Sequence, residues 1–152
     1  MTLEQWRKNS WLREEAATRN EIKDLLAVVD REIADASIKQ VSNDGRFMHA
    51  YDAALNLCAI ALRVSGHTVP KGGSHHKRTI GALPLVLGAK YQEISDQIEL
   101  ASRSRGQAMY DRAEVVQAKD ADELVETAQQ LRESVLAWIA QEHAALNPIA
   151  EK

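Results

Sequence analysis

The chain has 152 residues, enough for one domain with a buried core of its own. Hydrophobic residues make up 45% of it and charged residues 27%, proportions that are typical of a globular protein and exclude an intrinsically disordered one. The formal net charge of −3 argues against a general nucleic-acid binder, because such proteins carry a basic excess. A local basic patch is still compatible with this charge.

Membrane and secretory features are not expected in this chain. No apolar run approaches the ~18 residues that cross a bilayer, and the charged opening MTLEQWRKNS is unlike a secretory signal. Cys58 is the only cysteine, so an intramolecular disulfide is impossible. We therefore expect a reduced, cytoplasmic protein that has no membrane partner.

Apolar residues recur at helical spacing nearly throughout the chain, and no convincing run of strand alternation is found. A first helix is predicted over residues 3–17, opened by Thr2 and Gln5, which have the spacing of a capping box. Trp6 and Trp11 are the large apolar residues of this predicted helix.

Two longer helices are predicted next. Thr18 and Glu21 repeat the capping-box spacing before a second helix, whose apolar stripe is formed by Ile22, Leu25, Leu26, Val29, Ile33 and Ala36. A turn is predicted at residues 41–45, VSNDG, with Asp44 as the cap of a third helix over residues 46–65. The third helix is predicted to be the most buried, with a stripe of Phe47, Tyr51, Ala54, Leu55, Cys58 and Leu62.

Three further helices complete the prediction. Ser74 is expected to cap a fourth helix over SHHKRTIGALPLVLG, and Pro84 within it predicts either a kink or two short pieces. The fifth helix runs into an arginine-rich stretch, and its apolar residues are Tyr91, Ile94, Ile98 and Ala101. Asp120 with Glu123 is expected to open the last helix, whose stripe consists of Leu124, Ala128, Leu131, Val135, Trp138 and Ile139.

These elements predict a single all-α, up-and-down helical bundle without a sheet, framed by the second, third, fifth and sixth helices. Residues 1–17 are expected to form an N-terminal helical extension, residues 18–146 the helical domain, and residues 147–152 a frayed tail. No internal repeat or interdomain linker is found in the sequence.

The segment KGGSHHKR is a first candidate site. His75, His76 and Lys77 stand at a predicted helix start, where free N–H groups and the helix dipole favour phosphate. Adjacent histidines project about 100° apart on a helix, and no cysteine or carboxylate completes a zinc spacing, so no metal site is expected there. The alternative is a solvated helix cap. His49 and His143 lie within helical patterns, where a histidine is more often a hydrogen-bonded or half-exposed structural residue than a catalytic one.

The stretch RSRGQAMYDR, residues 103–112, is the second candidate. An unbroken helix would put Arg103 and Tyr110 on one face, whereas a bend at Gly106 would bring Arg105 and Tyr110 together. Arginine can grip a phosphate with two parallel hydrogen bonds, and tyrosine can stack on a base or donate a proton. The alternative is again a solvated helix end, where arginines are ordinary.

Taken in order, these segments resemble a HEPN domain. The resemblance rests on the central helix RFMHAYDAALNLCAIALRVSG, the later GSHHKRTIGALPLVLG, and an arginine motif before a long last helix, and it covers residues 18–142. It implies a bundle of the HEPN type that forms a homodimer and needs no cofactor. Many HEPN proteins are metal-independent RNases, and some are toxins of toxin–antitoxin pairs. The implied partners are therefore RNA or a nucleotide, and an antitoxin or nucleotidyltransferase.

The active-site motif of these RNases is an arginine, commonly followed by a polar residue, with a histidine a few residues later. Here Arg105 matches the arginine, Gly106 stands at the polar position, and Tyr110 stands where the histidine is expected. A second register starts at Arg103, with Ala108 in place of the histidine and Tyr110 matching a tyrosine that a partner nucleotidyltransferase can modify.

The missing histidine decides the functional expectation. An unperturbed tyrosine has a pKa of about 10 and is a poor general base at neutral pH. We therefore expect RNA or nucleotide binding rather than efficient cleavage, with Arg103 and Arg105 as phosphate ligands. If RNA is cleaved, Arg105 and Tyr110 are the expected catalytic residues. The alternative is a non-catalytic helical module for protein–protein interaction.

Overall fold

The structure, a computed structural model, describes residues 1–110 and 116–149, with side chains at all of these positions except 105–110. Its helices are α1 (Leu3–Lys8), α2 (Arg19–Ala36), α3 (Asn43–Val64), α4 (His75–Gly81), α5 (Leu83–Leu87), α6 (Gln92–Tyr110) and α7 (Ala118–Glu142). Two 3₁₀ turns, Ala89–Tyr91 and Ala144–Leu146, and two short strands, β1 (Arg13–Glu14) and β2 (His67–Thr68), complete the described elements. The predicted all-α helical bundle is confirmed.

Helix α3 is the centre of the bundle. It packs most extensively against α2 and α7, and then against α6. Small residues such as Ala50, Ala53 and Ala61 are fully buried on it and let the neighbouring helices approach closely. Cys58 belongs to the same core, where burial raises the pKa of its thiol to about 12 and so keeps it protonated. The prediction that the third helix is the most buried is confirmed.

The N-terminal segment differs from its prediction. Helix α1 ends at Lys8 rather than at residue 17, and Ser10 takes a left-handed backbone conformation with φ of 63°. The chain then pairs Arg13–Glu14 antiparallel with His67–Thr68, so the expectation of no sheet is wrong at this one place. A two-residue ladder is too short to produce a pattern of alternating residues, which explains why the sequence did not indicate it.

A second apolar cluster attaches this segment to the bundle. It consists of Leu12, Leu62, Val69 and Ala82, with Leu3, Trp6 and Val86 packed against it. Gly81 lies directly under Trp6, because a Cβ atom added there would come within 3.2 Å of the indole Cη2. The predicted domain boundaries at residues 17/18 and 146/147 stay predictions.

Arg63 holds the connection between β1 and α2. Its guanidinium is buried and donates to the backbone carbonyls of Glu15 at 2.7 Å, Ala16 at 3.2 Å and His67 at 3.1 Å. It also donates two hydrogen bonds to the Glu21 carboxylate, at 2.6 and 3.0 Å. Glu21 was expected to complete a capping box, and instead its side chain pairs with Arg63. Two carbonyls of the irregular segment between β1 and α2 and one carbonyl of β2 thereby receive hydrogen bonds from one side chain.

The helix ends confirm some predicted caps and correct others. Thr18 caps α2 through a bond from the Glu21 N–H, as predicted. Ser42 rather than Asp44 caps α3, and the Asp44 carboxylate instead accepts from the Val116 N–H at 2.9 Å, just before α7.

In the second half of the bundle, too, some predicted caps and helix boundaries are confirmed and others are corrected. Gln117 rather than Asp120 is the cap of α7, and Asp120 is the third residue of its capping box. Ser74 stands at the N-cap of α4, as predicted, but its side chain makes no cap hydrogen bond. The segment is divided at Ala82 into α4 and α5, with Pro84 in the first turn of α5, so two short helices form rather than one kinked helix.

Candidate functional site

Helices α4 and α6 lie side by side, and the N-terminal segment lies across them. Between these three elements is a groove of about 380 Å³, which we call the tryptophan groove. It is lined by Trp6, Trp11, Ser74, Lys77, Arg78, Gly81, Gln92, Ser95, Asp96 and Glu99. The Ser95 hydroxyl donates to the Ile80 carbonyl at 3.0 Å, which fixes α6 against α4 at this point.

The aromatic side of the groove is formed by two indole rings. Trp6 and Trp11 meet edge to face, with centroids 5.5 Å apart and planes at 77°. The Arg78 guanidinium lies over the Trp11 ring, 5.1 Å from its centroid, as a cation–π contact. This position places a permanent positive charge next to an aromatic surface, because arginine stays protonated at any physiological pH.

The wall formed by α6 is polar and partly acidic. Gln92 donates to Asp96 at 2.9 Å, and Glu99 accepts from Arg103 at 2.9 Å. Arg103 is an exposed side chain, and its pair with Glu99 is of the i,i+4 type on the helix surface. Such exposed pairs contribute only about 0.3–0.5 kcal/mol, so a stronger anionic ligand can compete for Arg103.

The structure brings together only part of the predicted site. Lys77 lines the tryptophan groove, and Arg103 is joined to it through Glu99. His75 and His76 are exposed on the same short helix, with rings 5.9 Å apart, and do not line the groove. The anion site predicted at the start of α4 therefore stays a prediction for both histidines.

The RSRGQAMYDR stretch lies partly outside the described residues. The backbone of α6 is helical from Gln92 through Tyr110, so no break occurs at Gly106 and the alternative of a continuous helix is confirmed. The side chains of Arg105 and Tyr110 lie outside the described part, as do Asp111 and Arg112 entirely. The catalytic assignment of Arg105 and Tyr110 stays a prediction.

The two helical histidines occupy different surroundings. His143 ends α7 and meets the Trp138 ring edge to face at 4.8 Å, in keeping with a bystander. His49 on α3 has its Nδ1 atom 2.7 Å from Oε2 of the buried Glu32 on α2. A carboxylate that fixes one imidazole nitrogen leaves the other for a partner outside, so His49 is the better placed of the two for chemistry.

A second hollow, of about 240 Å³, lies between α3, α6 and α7. Its lining consists of Phe47, Gln97, Leu100, Ala101, Ser104, Val116, Asp120, Glu123 and Leu124. Leu100 is the large apolar residue of this lining that faces solvent, with 61% of its surface exposed. The mixture of phenyl and leucine groups with two carboxylates suits contact with another protein surface better than binding of an anion.

The tryptophans were missed as site residues by the sequence analysis. Their spacing predicted one helix with two apolar residues, and neither the turn at Ser10 nor the packing of Trp6 on Gly81 has a signal in that pattern. An indirect signal was available, since Trp11 stands in the charged run WLREE rather than on an apolar stripe.

No protein-family profile, curated protein or solved structure matches the chain. The resemblance to HEPN domains therefore stays a prediction, and the function of the tryptophan groove has to be argued from its own chemistry. Over residues 1–110 and 116–149, no helix has the combined length and apolar character of a membrane span.

Proposed function

We propose that this protein is a HEPN-like binder of RNA or nucleotides and that the tryptophan groove is the binding surface. The observation that carries the proposal is the contact of Arg78 with Trp11, beside the exposed Lys77. Positive charge that follows a phosphate backbone, together with aromatic rings on which bases stack, is the combination that single-stranded nucleic acids select. In a chain of net charge −3, this is the local basic patch that the composition left open.

The phosphate is recognised by the basic side chains in and beside the groove. Lys77 supplies a point charge, and Arg78 a planar donor that can hold two phosphate oxygens. Arg103 can leave Glu99 for the ligand, because their exposed pair is weak. Contacts to two phosphates of a single strand predict a salt dependence with a slope of about −1.4.

The base is recognised by stacking on the indole rings. Stacking of one base on an aromatic side chain is worth about 1–3 kcal/mol and tolerates any sequence. Asp96 and Glu99 stand on the opposite wall, where their carboxylates can accept hydrogen bonds from the amino groups of a base. These carboxylates also oppose a long run of phosphates, so a short single strand or a nucleotide fits the groove better than duplex RNA.

The proposal is binding rather than efficient cleavage. The lining of the tryptophan groove contains no histidine, so the acid–base residue that the HEPN motif requires is absent from that lining. RNase or toxin activity at Arg105 and Tyr110 would be a separate function of the end of α6. Its test is incubation of single-stranded RNA with the protein in chelator, compared with Arg105→Ala and Tyr110→Phe.

Fluorescence anisotropy with a short labelled single-stranded RNA tests the binding proposal. Lys77→Glu should weaken binding at least tenfold, and Lys77→Ala should reduce the salt slope by about 0.7. The matched control is Lys23→Glu on the exposed side of α2, which changes the net charge equally and should leave binding within twofold. Equal losses in Lys77→Glu and Lys23→Glu would mean that only overall charge matters, and the proposed groove would then be wrong.

A second candidate function, the protein–protein interaction module, is favoured by the hollow around Leu100. We propose that the homodimer implied by the HEPN resemblance forms through the faces of α3 and α6, where Phe47, Leu100 and Ala101 stand. A second copy that covered Leu100 would remove this exposed apolar residue from water. Light scattering tests the dimer: Leu100→Glu should yield a monomer, with the exposed Ile38→Glu as the control.

A further inference from the structure

Three potential metal ligands converge between α2 and α3, away from the tryptophan groove. They are Glu32 and Asp35 of α2 and His49 of α3, and their ligand atoms all lie within 4.8 Å of one another. We propose that these residues form a binding site for a divalent transition-metal ion such as Zn²⁺. The inference is independent of the proposed RNA function and differs from the sequence analysis, which expected no metal site.

The local fold explains why these residues meet. Glu32 and Asp35 are three positions apart on a helix and therefore share one face of α2. Helices α2 and α3 form the most extensive helix pair of the described structure, and His49 projects across their interface. The sequence predicted no metal site because the three ligands lie on two different helices, and such a combination has no characteristic spacing along the chain.

The ligands are of the kinds that Zn²⁺ accepts. An imidazole nitrogen and two carboxylate oxygens, with water in the fourth position, form a known type of open zinc coordination. Bonds of about 2.1 Å place neighbouring ligand atoms of a tetrahedral site about 3.4 Å apart. The 2.7 Å contact between Glu32 and His49 must open slightly, and separations of up to 4.8 Å must close by up to about 1.4 Å. Asp35 and His49 are half-buried, so side-chain rotation can provide both movements.

Glu32 is held by its neighbours with one carboxylate oxygen facing His49. Its side chain is buried, with 7% of the residue surface exposed. Arg31 donates two hydrogen bonds to Oε1, at 3.2 and 2.9 Å, and so turns Oε2 towards His49. Hydrogen-bonded support of this kind orients metal ligands in proteins. Asp35 has no side-chain hydrogen bond or ion pair in the described part of the chain, so its carboxylate can take a ligand without breaking a contact.

Proton and charge balance are consistent with a divalent ion. A metal at Nδ1 of His49 displaces the proton that lies between this nitrogen and Glu32, and the proton moves to Nε2 or leaves to water. The two carboxylates carry two negative charges, and Arg31 compensates one of them. Arg46 of α3 also lies near this region. It donates hydrogen bonds to the Ala36 carbonyl at 2.8 Å and to the Asp122 carboxylate at 2.7 Å. A divalent cation therefore meets a net negative site, although the two arginines limit its affinity.

Calorimetric titration of the chelator-stripped full chain with ZnCl₂ tests the proposal. We expect one ion per chain and a rise in melting temperature with added Zn²⁺. Asp35→Asn and His49→Gln should each weaken binding at least tenfold. Asp35→Asn is the decisive variant, because its melting temperature in chelator should equal that of the wild type and loss of folding then cannot explain the result.

The control variant is His75→Ala combined with His76→Ala, which removes the exposed histidine pair that could also hold zinc. It should bind Zn²⁺ as tightly as the wild type. The site is absent if the wild type binds no Zn²⁺, or if Asp35→Asn and His49→Gln bind it unchanged. Loss of binding in the double histidine variant would place the ion on α4 and equally overturn the proposal.

Discussion

Two arginines of α3 and two arginines around the tryptophan groove use the same side chain for opposite purposes. Arg46 and Arg63 are 5% and 8% exposed and are surrounded by backbone carbonyls and carboxylates. Arg103 has a side chain that is 69% exposed and pairs with Glu99 on its own helix, and Arg78 lies over an indole ring. Arg46 and Arg63 stabilise the fold through these contacts, whereas the guanidinium groups of Arg78 and Arg103 can donate hydrogen bonds to a ligand.

The role of each arginine follows from its burial and its neighbours rather than from the residues next to it in the sequence. A buried guanidinium must have all its donors satisfied by the protein, since an unpaired buried charge is very costly. An exposed guanidinium is hydrated, so binding of phosphate costs it water and, at Arg103, one weak surface pair. Substitution should therefore reduce stability at Arg46 and Arg63, and ligand affinity at Arg78 and Arg103.

The largest effect is expected at Arg63. Arg63→Met should lower the free energy of unfolding by about 3 kcal/mol or more, because the Glu21 carboxylate and three backbone carbonyls lose their hydrogen bonds from Arg63. Urea denaturation measures this change, with exposed Arg13→Met as the control at under about 0.5 kcal/mol. Similar small losses in both variants would remove the distinction between buried and exposed arginines.

The next effect concerns ligand affinity at the aromatic side of the groove. Trp11→Ala should weaken binding of single-stranded RNA by about 10- to 100-fold, the loss expected for one stacked base. Arg78→Ala should act in the same direction, because it removes both a phosphate donor and the cation over Trp11. Trp138→Ala on α7 is the matched control, since that indole contacts His143 instead. Anisotropy measurements in which Trp138→Ala is the more damaging variant would contradict the assignment.

A smaller effect is expected on the pH dependence of stability. The hydrogen bond from Arg63 lowers the pKa of Glu21 below its ordinary value of 4.5. Burial raises the pKa of Glu32, but the hydrogen bonds from His49 and Arg31 outweigh it and the net pKa is also lowered.

Both carboxylates therefore stabilise the fold above pH ~4.5, and this contribution is lost as the pH falls through their lowered pKa values. Thermal unfolding between pH 6 and pH 3 measures it. Glu21→Gln should flatten the acid limb, whereas Glu14→Gln, at an exposed position, should not. An acid limb that is unchanged by Glu21→Gln would exclude the Arg63 pair as its origin.

The smallest effect on stability is expected at Arg103. Arg103→Ala should change the free energy of unfolding by under about 0.5 kcal/mol, because it removes only an exposed pair with Glu99. The same variant should still weaken RNA binding several-fold. A stability loss comparable with that of Arg63→Met would show that Arg103 is structural and not available to a ligand.

The sequence predicted the fold where local chemistry decides it. The stripes of α2, α3 and α7, the Thr18 cap and the division at Pro84 all follow from side-chain spacing or backbone geometry. It failed where a residue far away in the sequence decides the local structure. Glu21 pairs with Arg63, which lies 42 positions further along the chain, and so leaves its predicted capping box.

The candidate site was predictable only in part for the same reason. Lys77 and Arg103 were found because charged residues near helix ends have a local signature. The tryptophans were not, because the turn at Ser10 and the approach of Trp6 to Gly81 arise from tertiary packing. The Glu32–His49 contact likewise joins two helices and has no signature in either of them.

Photo-crosslinking of 4-thiouridine RNA, followed by mass-spectrometric mapping of the modified peptides, shows where RNA lies on the protein. We expect crosslinks at Trp6 or Trp11 and in the α4 segment around Lys77, and their loss in Lys77→Glu but not in Lys23→Glu. Crosslinks confined to residues 105–112, with none in the tryptophan groove, would contradict it and place RNA binding on the arginine motif at the end of α6.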